Sequence, residues 1–244
     1  MISVCVATYN GAAYIEAQLR SILPQLGAKD EVIVSDDGST DETLGLIQRL
    51  GDPRIRVIHH KEPIGSTANF YSALSQAKGD IIFLSDQDDV WLDDKVVLCM
   101  KCLKDCDLVV SDATVVDADL KPLYPSLFAL VHSREGLWRN WLFCTFYGSA
   151  MAFRRTVWEQ AQPVPKDSLI AHDWWIGMVA EMTGRVRFVN EPMYLYRRHN
   201  KTVTTVSDQS VWTRSPRPWT QKIGARLSML YHIIKYRITH KRNG

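Results

Sequence analysis

Short apolar runs alternate with amphipathic stretches along the first 110 residues of the chain. Near-continuous apolar runs are typical of strands buried on both faces of a parallel sheet, whereas apolar positions repeating every three to four residues indicate surface helices. Strands are predicted at residues 2–7, 31–35, 55–59, 80–85 and 107–111, with helices at residues 12–22, 41–50 and 66–77. This alternation predicts an α/β fold with a doubly wound, mostly parallel sheet flanked by helices.

The pattern changes after about residue 117. Residues 117–140 contain two prolines and several aromatics without a clear period, so we expect irregular, mobile structure over the functional edge of the sheet. Ordered elements are predicted again at residues 150–153 (strand), 170–182 (helix) and 186–190 (strand), followed by a Ser-, Thr- and Pro-rich linker at residues 200–220. We therefore divide the chain into residues 1–115, 116–205 and 206–244.

Length and composition predict a globular protein with a full core. The chain has 244 residues, 46% of them hydrophobic, which suits one large domain or two closely fused lobes. Its five cysteines are odd in number and favour a reduced, cytoplasmic compartment. Cys99, Cys102 and Cys106 are spaced as on a helix, and we interpret them as core residues rather than zinc ligands because no further Cys or His cluster completes a site.

The first residues lack the basic region and cleavage site of a secretory signal, so none is expected, and no apolar stretch approaches the ~20 residues that span a bilayer. Any membrane contact is therefore expected to be peripheral. The net charge of +2 hides an asymmetry, since residues 209–244 contain eight Lys and Arg and no acid. Apolar residues recur there at helical spacing: Ile223, Leu227, Leu230, Ile234 and Ile238. This basic amphipathic helix either lies on anionic lipid at the inner face of the cytoplasmic membrane or docks on the body with its polar face solvated; the single-signed charge favours lipid.

Carboxylates follow the predicted strand at residues 80–85 directly. Asp86, Asp88 and Asp89 supply hard oxygen ligands, which suit Mg²⁺ or Mn²⁺ shared with substrate phosphates. The alternative is a solvated acidic turn that caps the helix beginning near Trp91. The acids do not stand alone, because polar loops also follow the other strands, at residues 8–11, 36–39 and 60–65, and such loops meet in one crevice of a doubly wound sheet. No glycine-rich phosphate loop is present, so a cation is expected to neutralise phosphate.

Three of these segments carry a family resemblance. Residues 4–10, 32–41 and 83–91 resemble the successive signatures of family 2 glycosyltransferases with the GT-A fold, and the resemblance covers roughly residues 1–200. It implies a nucleotide-sugar-binding half at residues 1–115 and an acceptor-binding half at residues 116–205. The donor-binding residues that it implies are Ala7, Thr8, Tyr9 (beside the base), Asn10, Asp36, Asp37 (on the base), Asp86 and Gln87. It also implies a divalent cation, Mn²⁺ or Mg²⁺, bound directly by Asp88.

The second half supplies the remaining parts of the implied site. Residues 172–175 resemble the segment that holds the family's catalytic base, which makes Asp173 the base, although an Asp at a helix start could equally be a plain cap. Residues 196–200 resemble the late histidine motif, which implies His199 at the metal and diphosphate, with Arg197 and Arg198 as further candidates there. Gly148 and Ser149 resemble the wall between donor and acceptor. Trp174 and Trp175 offer a sugar platform, but core packing of at least one is favoured.

The resemblance implies a single inverting displacement at an anomeric carbon. The sequences of residues 85–91 and 172–175 are similar to those of bacterial rhamnosyltransferases. This similarity implies dTDP-L-rhamnose as donor and a cell-surface polysaccharide, O-antigen or lipid-linked precursor as acceptor. A UDP-hexose or UDP-N-acetylhexosamine donor, or a non-catalytic nucleotide-sugar-binding module, is the alternative. A nucleotidyltransferase is disfavoured because residues 8–11 lack a glycine-rich basic loop. Nucleic-acid binding is disfavoured because the body is net acidic.

Overall fold

The computed structural model of the protein describes residues 1–198 and 218–241. The strands are β1 (Ile2–Thr8), β2 (Glu31–Asp36), β3 (Ile55–His59), β4 (Ile81–Asp86), β5 (Val90–Trp91), β6 (Leu108–Val116), β7 (Pro122–Tyr124), β8 (Met151–Arg154) and β9 (Val186–Arg197). The helices are α1 (Ile15–Ile22), α2 (Thr43–Leu50), α3 (Ser66–Gln76), α4 (Lys95–Cys102), α5 (Leu127–Val131), α6 (Leu137–Phe143), α7 (Arg155–Gln160), α8 (His172–Thr183) and α9 (Trp219–Lys241).

The first half of the chain forms the parallel part of the sheet. Strands β3, β2, β1 and β4 lie side by side in that order and run in the same direction. In the centre, Val4 of β1 pairs with Val32 on one side and Phe83 on the other, and all three side chains are fully buried. The apolar runs thus form strands because helices cover both faces of the sheet. The predicted α/β fold is confirmed, with strand ends within one residue of those predicted for β1 to β4.

The second half continues the same sheet with mixed strand directions. Strand β8 lies antiparallel between β4 and β6, β9 runs parallel to β6, and β5 pairs antiparallel with the end of β9. The predicted strands at 107–111 and 186–190 are longer than expected, because their pairing continues past a register shift at Ser111 to Val116 and Arg197. A continuous ladder of main-chain hydrogen bonds therefore joins the two halves.

The segment at residues 117–140 is more regular than predicted. It contains β7, α5 and most of α6, and the expectation of irregular structure there is wrong. Ser126 begins α5 by accepting a hydrogen bond from the backbone N–H of Ala129 at 2.9 Å, while its own hydroxyl donates to Asp112. Asn140 anchors α6 in the interior through Arg134 and Glu181. Helices of five and seven residues are too short to show a helical period in the sequence.

Both adjacent tryptophans of α8 belong to the core. Trp174 and Trp175 are 4% and 3% exposed, and their ring N–H groups donate to the carbonyls of Asn140 and Ala161. Core packing therefore accounts for both, and neither ring face is open to a sugar. Cys99 and Cys106 are also buried, as predicted.

Helix α9 docks on the body by one face. Ala225, Met229, Ile233 and Tyr236 are buried, and the ring of Tyr236 meets the edge of Trp175 at a centroid distance of 6.1 Å. The helix is docked, as one of the two interpretations expected, but the docked face is not the predicted one, because four of the five apolar residues predicted for that face are exposed. Neither α9 nor any other helix in the described ranges has the length and apolar character needed to cross a membrane. The predicted linker lies almost wholly outside those ranges, since residues 199–217 are not described.

Candidate active site

The side chain of Gln87 joins the loop after β4 to the loop after β1. Its Oε1 accepts hydrogen bonds from the Thr8 hydroxyl at 2.6 Å and from the Tyr9 backbone N–H at 2.8 Å, and its Nε2 donates to the Tyr9 carbonyl at 3.1 Å. The ring of Tyr9 is 48% exposed beside this junction. Three of the predicted donor-binding residues are thus brought together, and the predicted Ala7 lies in β1 paired with Ser35 and Asp86.

Asn10 joins the loops after β1 and β2. Its backbone N–H donates to the Ser39 hydroxyl at 2.8 Å, and its Oδ1 accepts from the Thr40 N–H at 2.9 Å. Its φ of 47° lies in the left-handed region, which asparagine tolerates better than most residues. These contacts tie the two loops together at the carboxyl edge of the sheet.

Asp36 and Asp37 hold neighbouring turns rather than standing free. Asp36 is fully buried and accepts hydrogen bonds from the Ser39 N–H and from Nδ1 of His59, both at 2.9 Å. Asp37 is 6% exposed and accepts from the N–H groups of Ile64 at 2.6 Å and Gly65 at 3.0 Å. Asp37 therefore draws the loop at residues 60–65 into the same site, and its carboxylate keeps further lone pairs for a ligand.

Asp86, Asp88 and Asp89, here called the acidic cluster, lie at the end of β4. Burial and then the neighbouring Asp88 raise the pKa of Asp86 to about 7, while a hydrogen bond from Ser149 lowers it. Burial, then Asp88 and Asp86, raise the pKa of Asp89. Oδ2 of Asp89 is buried and has no hydrogen-bond partner among the described residues. The cluster is therefore a site of concentrated negative charge that lacks full compensation.

A buried lysine lies beneath the acidic cluster. Nζ of Lys95 donates to the Ser149 carbonyl at 2.5 Å and lies 4.6 Å and 4.3 Å from the ring centroids of Trp91 and Tyr194. Burial lowers its pKa to about 8, although Asp89 and Asp86 oppose that shift. A fully buried lysine is rare unless it is paired, so Lys95 provides partial charge compensation from inside the protein. Nothing in the sequence distinguishes it from a surface lysine at a helix start.

Arg197 holds the backbone of the acidic cluster. Its Nε donates to the Asp88 carbonyl at 2.7 Å, its backbone N–H donates to Oδ1 of Asp89 at 3.2 Å, and its guanidinium lies 4.9 Å from the ring of Tyr14. The backbone N–H and the guanidinium of Arg197 are thus already engaged by other parts of the protein. The phosphate contact expected for Arg197 stays a prediction. Arg198 is half-buried, and the predicted metal ligand His199 lies outside the described residues.

Asp173 lies in the first turn of α8 and is half-buried. Its Oδ1 accepts a hydrogen bond from the Trp174 N–H at 2.7 Å, but it does not cap the helix, because Ala171 occupies the N-cap position and no side chain makes a capping bond there; the capping interpretation is therefore wrong. Asp173 also helps to raise the pKa of Asp86, after burial and Asp88, and that of Tyr71, after burial. Asp173 is therefore within electrostatic reach of the acidic cluster and of the Tyr71 hydroxyl, which is buried without a partner among the described residues.

His172, the residue before Asp173, is confined on two sides. Its ring stacks on Phe70 at a centroid distance of 3.9 Å, and a Cβ on Gly148 would lie 2.9 Å from its Nε2. Neither ring nitrogen has a hydrogen-bond partner in residues 1–198 and 218–241, and burial lowers the pKa of the ring. The imidazole therefore fills space between the wall at Gly148 and the start of α8.

The residues present fit a divalent cation that is shared with a ligand. Within the described ranges, no group of three or more His, Cys, Asp or Glu is arranged to hold a metal by itself. Mg²⁺ and Mn²⁺ commonly bind through one or two carboxylates and complete their shell with substrate phosphates and water. Asp88 is half-buried at the edge of the cluster and Oδ2 of Asp89 has no partner in the described ranges. Burial and then Asp88 raise the pKa of Asp86, and a bound cation would oppose both effects by favouring the ionised carboxylates.

Comparison with known proteins places this site in a class. A model of Glycosyl transferase family 2 matches residues 3–161. The chain is 27% identical to the dTDP-rhamnosyl transferase RfbG of Shigella flexneri over 232 residues, covering 86% of this chain and 77% of that protein. It is 35% identical over 96 residues to the Escherichia coli UDP-Glc:alpha-D-GlcNAc-diphosphoundecaprenol beta-1,3-glucosyltransferase WfaP, covering 39% of this chain and 38% of that one.

Solved structures agree with this class. The S. aureus TarS fragment 1-349 in complex with UDP-GlcNAc superposes with a TM-score of 0.67 at 20% identity, over 82% of this chain and 59% of that one. The Pyrobaculum calidifontis mannosyltransferase PcManGT in complex with GDP-Man and Mn²⁺ has a TM-score of 0.62 at 26% identity, over 81% of this chain and 56% of that one. The chain thus spans less than two thirds of these two structures.

The fold is that of the GT-A glycosyltransferases, enzymes that transfer a sugar from a nucleotide-sugar donor. The chain belongs to glycosyltransferase family 2. The resemblance stated from residues 4–10, 32–41 and 83–91 is therefore confirmed.

Proposed function

We propose that the protein transfers L-rhamnose from dTDP-L-rhamnose to a hydroxyl of a cell-surface polysaccharide or lipid-linked oligosaccharide precursor, with inversion at the anomeric carbon. The observation that carries the proposal is that the acidic cluster meets the start of α8. Ser149 donates to Asp86 at 2.8 Å, and a Cβ on the preceding Gly148 would lie 2.9 Å from Nε2 of His172, the residue before Asp173. A transferase needs such a meeting point, because the leaving diphosphate and the attacking hydroxyl react at the same carbon.

The donor would lie along the loops after β1, β2 and β4. The exposed ring of Tyr9 offers a face to the base, and Asp37 offers an acceptor for its N–H groups. Thr8, Asn10, Asp36 and Gln87 would hold these loops in place, and Ala7 would leave room beside Asp86 for the ribose or sugar. Residues 1–115 thereby serve the donor and residues 116–205 the acceptor.

Asp88, with His199, would hold the divalent cation, which when bound balances charge on the leaving nucleoside diphosphate. Mn²⁺ and Mg²⁺ both suit these ligands, and PcManGT was solved with Mn²⁺. Asp173 would accept the proton of the acceptor hydroxyl, since an alcohol is a poor nucleophile until a carboxylate within hydrogen-bond reach takes that proton. One carboxylate base is sufficient, because the leaving group needs no protonation by a second carboxyl group.

The choice of rhamnose rests on the similarity to RfbG, which extends over 86% of the chain. A UDP-hexose or UDP-N-acetylhexosamine donor is the second candidate, supported by the higher identity to WfaP over a shorter segment. WfaP is named for a diphosphoundecaprenol acceptor, which supports a lipid-linked acceptor here and a cytoplasmic enzyme working at the inner face of the membrane.

Transfer assays with the Asp173→Asn variant test the proposal. Asparagine keeps the size of the side chain and can still accept the hydrogen bond from the Trp174 N–H, but it cannot take a proton. We expect donor binding to be retained and transfer to fall by about 10²-fold or more. Asp119→Asn, an exposed acid in the turn before β7, is the matched control. Near-wild-type transfer by the Asp173→Asn variant would end the assignment of the base.

A further inference from the structure

Helix α9 has a second apolar face in addition to the docked one. Six of the sixteen large hydrophobic side chains that are exposed in the described residues lie on this helix. We call them the outer stripe: Trp219 58%, Ile223 54%, Leu227 60%, Tyr231 59%, Ile234 51% and Ile238 54% exposed. At about 100° per residue they occupy about 120° of the helix circumference and extend about 28 Å along its axis. Exposed apolar residues in a contiguous patch indicate an interaction surface.

The outer stripe is distinct from the contact that holds α9 on the protein. Met229 and Ile233 of the inner face are 0% and 1% exposed, so that face is already occupied. Arg226 lies between the two faces, where its Nε donates to the Leu142 carbonyl at 3.1 Å and its own carbonyl accepts from Nε1 of Trp141 at 2.9 Å. The helix therefore cannot turn its inner face outward without breaking these contacts.

The basic residues of α9 indicate which kind of partner covers the outer stripe. Lys235 and Arg237 are exposed and follow Ile234 and Tyr236 on the same helix, and residues 209–244 contain no acid at all. If two copies of α9 paired through the outer stripe, their Lys and Arg side chains would lie close together, and neither helix has a carboxylate to neutralise them. An anionic partner meets no such repulsion, and an apolar stripe flanked by basic residues, with Trp and Tyr among its members, is the pattern of helices that lie in the headgroup region of a bilayer.

We propose that the outer stripe of α9 lies on an anionic lipid surface while the inner face stays docked. The apolar residues that the sequence singled out would then lie mostly on lipid, while the helix docks through a face that the sequence pattern did not predict. The docked face also links the surface to the site, because Arg226 lies 5.5 Å from the ring of Trp174, the residue after Asp173. Lipid contact would thus hold the start of α8 close to the membrane, where a lipid-linked acceptor is found. The proposal concerns binding and does not rest on the identity of the donor sugar.

Sedimentation with vesicles tests the proposal on the full chain. We expect binding to vesicles that contain phosphatidylglycerol, weak binding to phosphatidylcholine alone, and loss of binding at high salt. The double variant Ile223→Ser/Leu227→Ser is expected to lower the partition coefficient by about tenfold or more. Val97→Ser/Leu123→Ser is the matched control, because it removes side chains that are 67% and 50% exposed outside α9. Lys235→Glu/Arg237→Glu removes the charge and keeps the stripe, and it is also expected to reduce binding.

Equal binding by the wild type and both α9 variants would overturn the proposal, as would an equal loss in the Val97→Ser/Leu123→Ser control. Light scattering provides the other decisive measurement. A dimer that dissociates in the Ile223→Ser/Leu227→Ser variant would show that a second copy covers the stripe. Thermal unfolding and transfer to a water-soluble acceptor are expected to be unchanged in the α9 variants, which separates loss of lipid binding from loss of fold or of catalysis.

Discussion

The Ser149 hydroxyl lies 2.8 Å from Oδ2 of Asp86 and donates a hydrogen bond to it, across 63 residues of sequence. The same hydroxyl accepts a bond from the Asp86 backbone N–H at 3.0 Å, and the Ser149 carbonyl accepts from the buried Lys95. Ser149 therefore links the acidic cluster to the short turn at Gly148–Ala150 that precedes β8. Its bond is the largest influence holding the pKa of Asp86 down against burial and Asp88.

Removal of this hydroxyl is expected to shift the pH dependence of transfer. In Ser149→Ala the pKa of Asp86 rises above about 7, so the carboxyl is protonated over more of the neutral range. If ionised Asp86 serves the donor, the acid side of the kcat/KM profile moves to higher pH, and activity at neutral pH falls by about tenfold. Measurement of kcat/KM against pH checks this, with the exposed Ser75→Ala on α3 as control. An unshifted profile in Ser149→Ala would contradict it.

Asp86→Asn is expected to stabilise the fold while abolishing transfer. The native pKa of about 7 exceeds the ordinary 3.8, so the folded state holds this proton more tightly than the unfolded state does. Between these values the free energy of unfolding therefore falls as pH rises. Asparagine removes this dependence, and we expect a gain on the order of 1 kcal/mol at alkaline pH and little gain near pH 4. Urea unfolding at both pH values measures it, and an equal change at both would refute the electrostatic origin.

Arg197→Ala is expected to lower the stability of the fold and to raise the Mn²⁺ concentration that transfer requires. The change removes the hydrogen bonds that the guanidinium donates to the carbonyls of half-buried Asp88 and exposed Ala118, and a typical intramolecular hydrogen bond contributes about 0.5–1.5 kcal/mol. Urea unfolding reports the loss of stability. The concentration of Mn²⁺ that gives half-maximal transfer should rise, because the loop bearing Asp88 loses its support. Arg20→Ala, an exposed arginine on α1, should change neither quantity. An unaltered Mn²⁺ dependence in Arg197→Ala would show that Arg197 does not support the loop that bears Asp88.

A methyl group at position 148 is expected to displace His172. In Gly148→Ala the new Cβ would lie 2.9 Å from Nε2 of His172, and the stacked Phe70 limits the retreat of the ring. Overpacking of this kind costs about 1–3 kcal/mol, and a shift of His172 also disturbs Asp173. The second change His172→Ala should restore part of the stability and of kcat. A double-mutant cycle over both positions measures the coupling, and purely additive effects would exclude the contact as the cause.

Nucleoside diphosphates are expected to stabilise the protein in a selective order. Thermal unfolding should show more protection by dTDP than by UDP if rhamnose is the donor sugar, because a ligand of the native state raises stability by about 2.7 kcal/mol at a hundredfold excess over its Kd. Mn²⁺ should increase this protection in the wild type and add nothing in Asp88→Ala. Greater protection by UDP would favour the hexose or N-acetylhexosamine donor. An Mn²⁺ effect that persists in Asp88→Ala would place the cation elsewhere.

The sequence predicts the first half of the fold well because local pattern and environment agree there. The buried strand around Val4 is apolar at nearly every position, so its assignment depends on no distant partner. Strand β8 was expected as a strand, but its antiparallel place between β4 and β6 depends on pairings that periodicity cannot reveal. The outer stripe was predicted in part: Ile223, Leu227, Ile234 and Ile238 lie on it, whereas Leu230 is half-buried and Trp219 and Tyr231 were not included.

Some residues of the candidate site were likewise predicted from the sequence, whereas others were missed. Acids after strands were found because their placement follows from the topology of the sheet. Lys95 and the backbone contacts of Arg197 were missed, because a lysine at a helix start and an arginine beside a histidine motif give no sign of burial. His172 was noted only as part of a motif, since its confinement by Phe70 and Gly148 arises from residues about 100 and 24 positions away. Side chains that support a site through distant contacts are visible only once the chain is folded.

The antiparallel insertion of β8 has a consequence for how substrates would be received. Asp86 ends a strand of the same sheet that continues through β8 and β6 to β9, so main-chain pairing joins the proposed donor-binding and acceptor-binding parts of the chain. Sliding one half past the other would break several main-chain hydrogen bonds at once. Under the proposed function, part of the entropy of aligning nucleophile and leaving group would therefore be lost when the polypeptide folds rather than at each turnover.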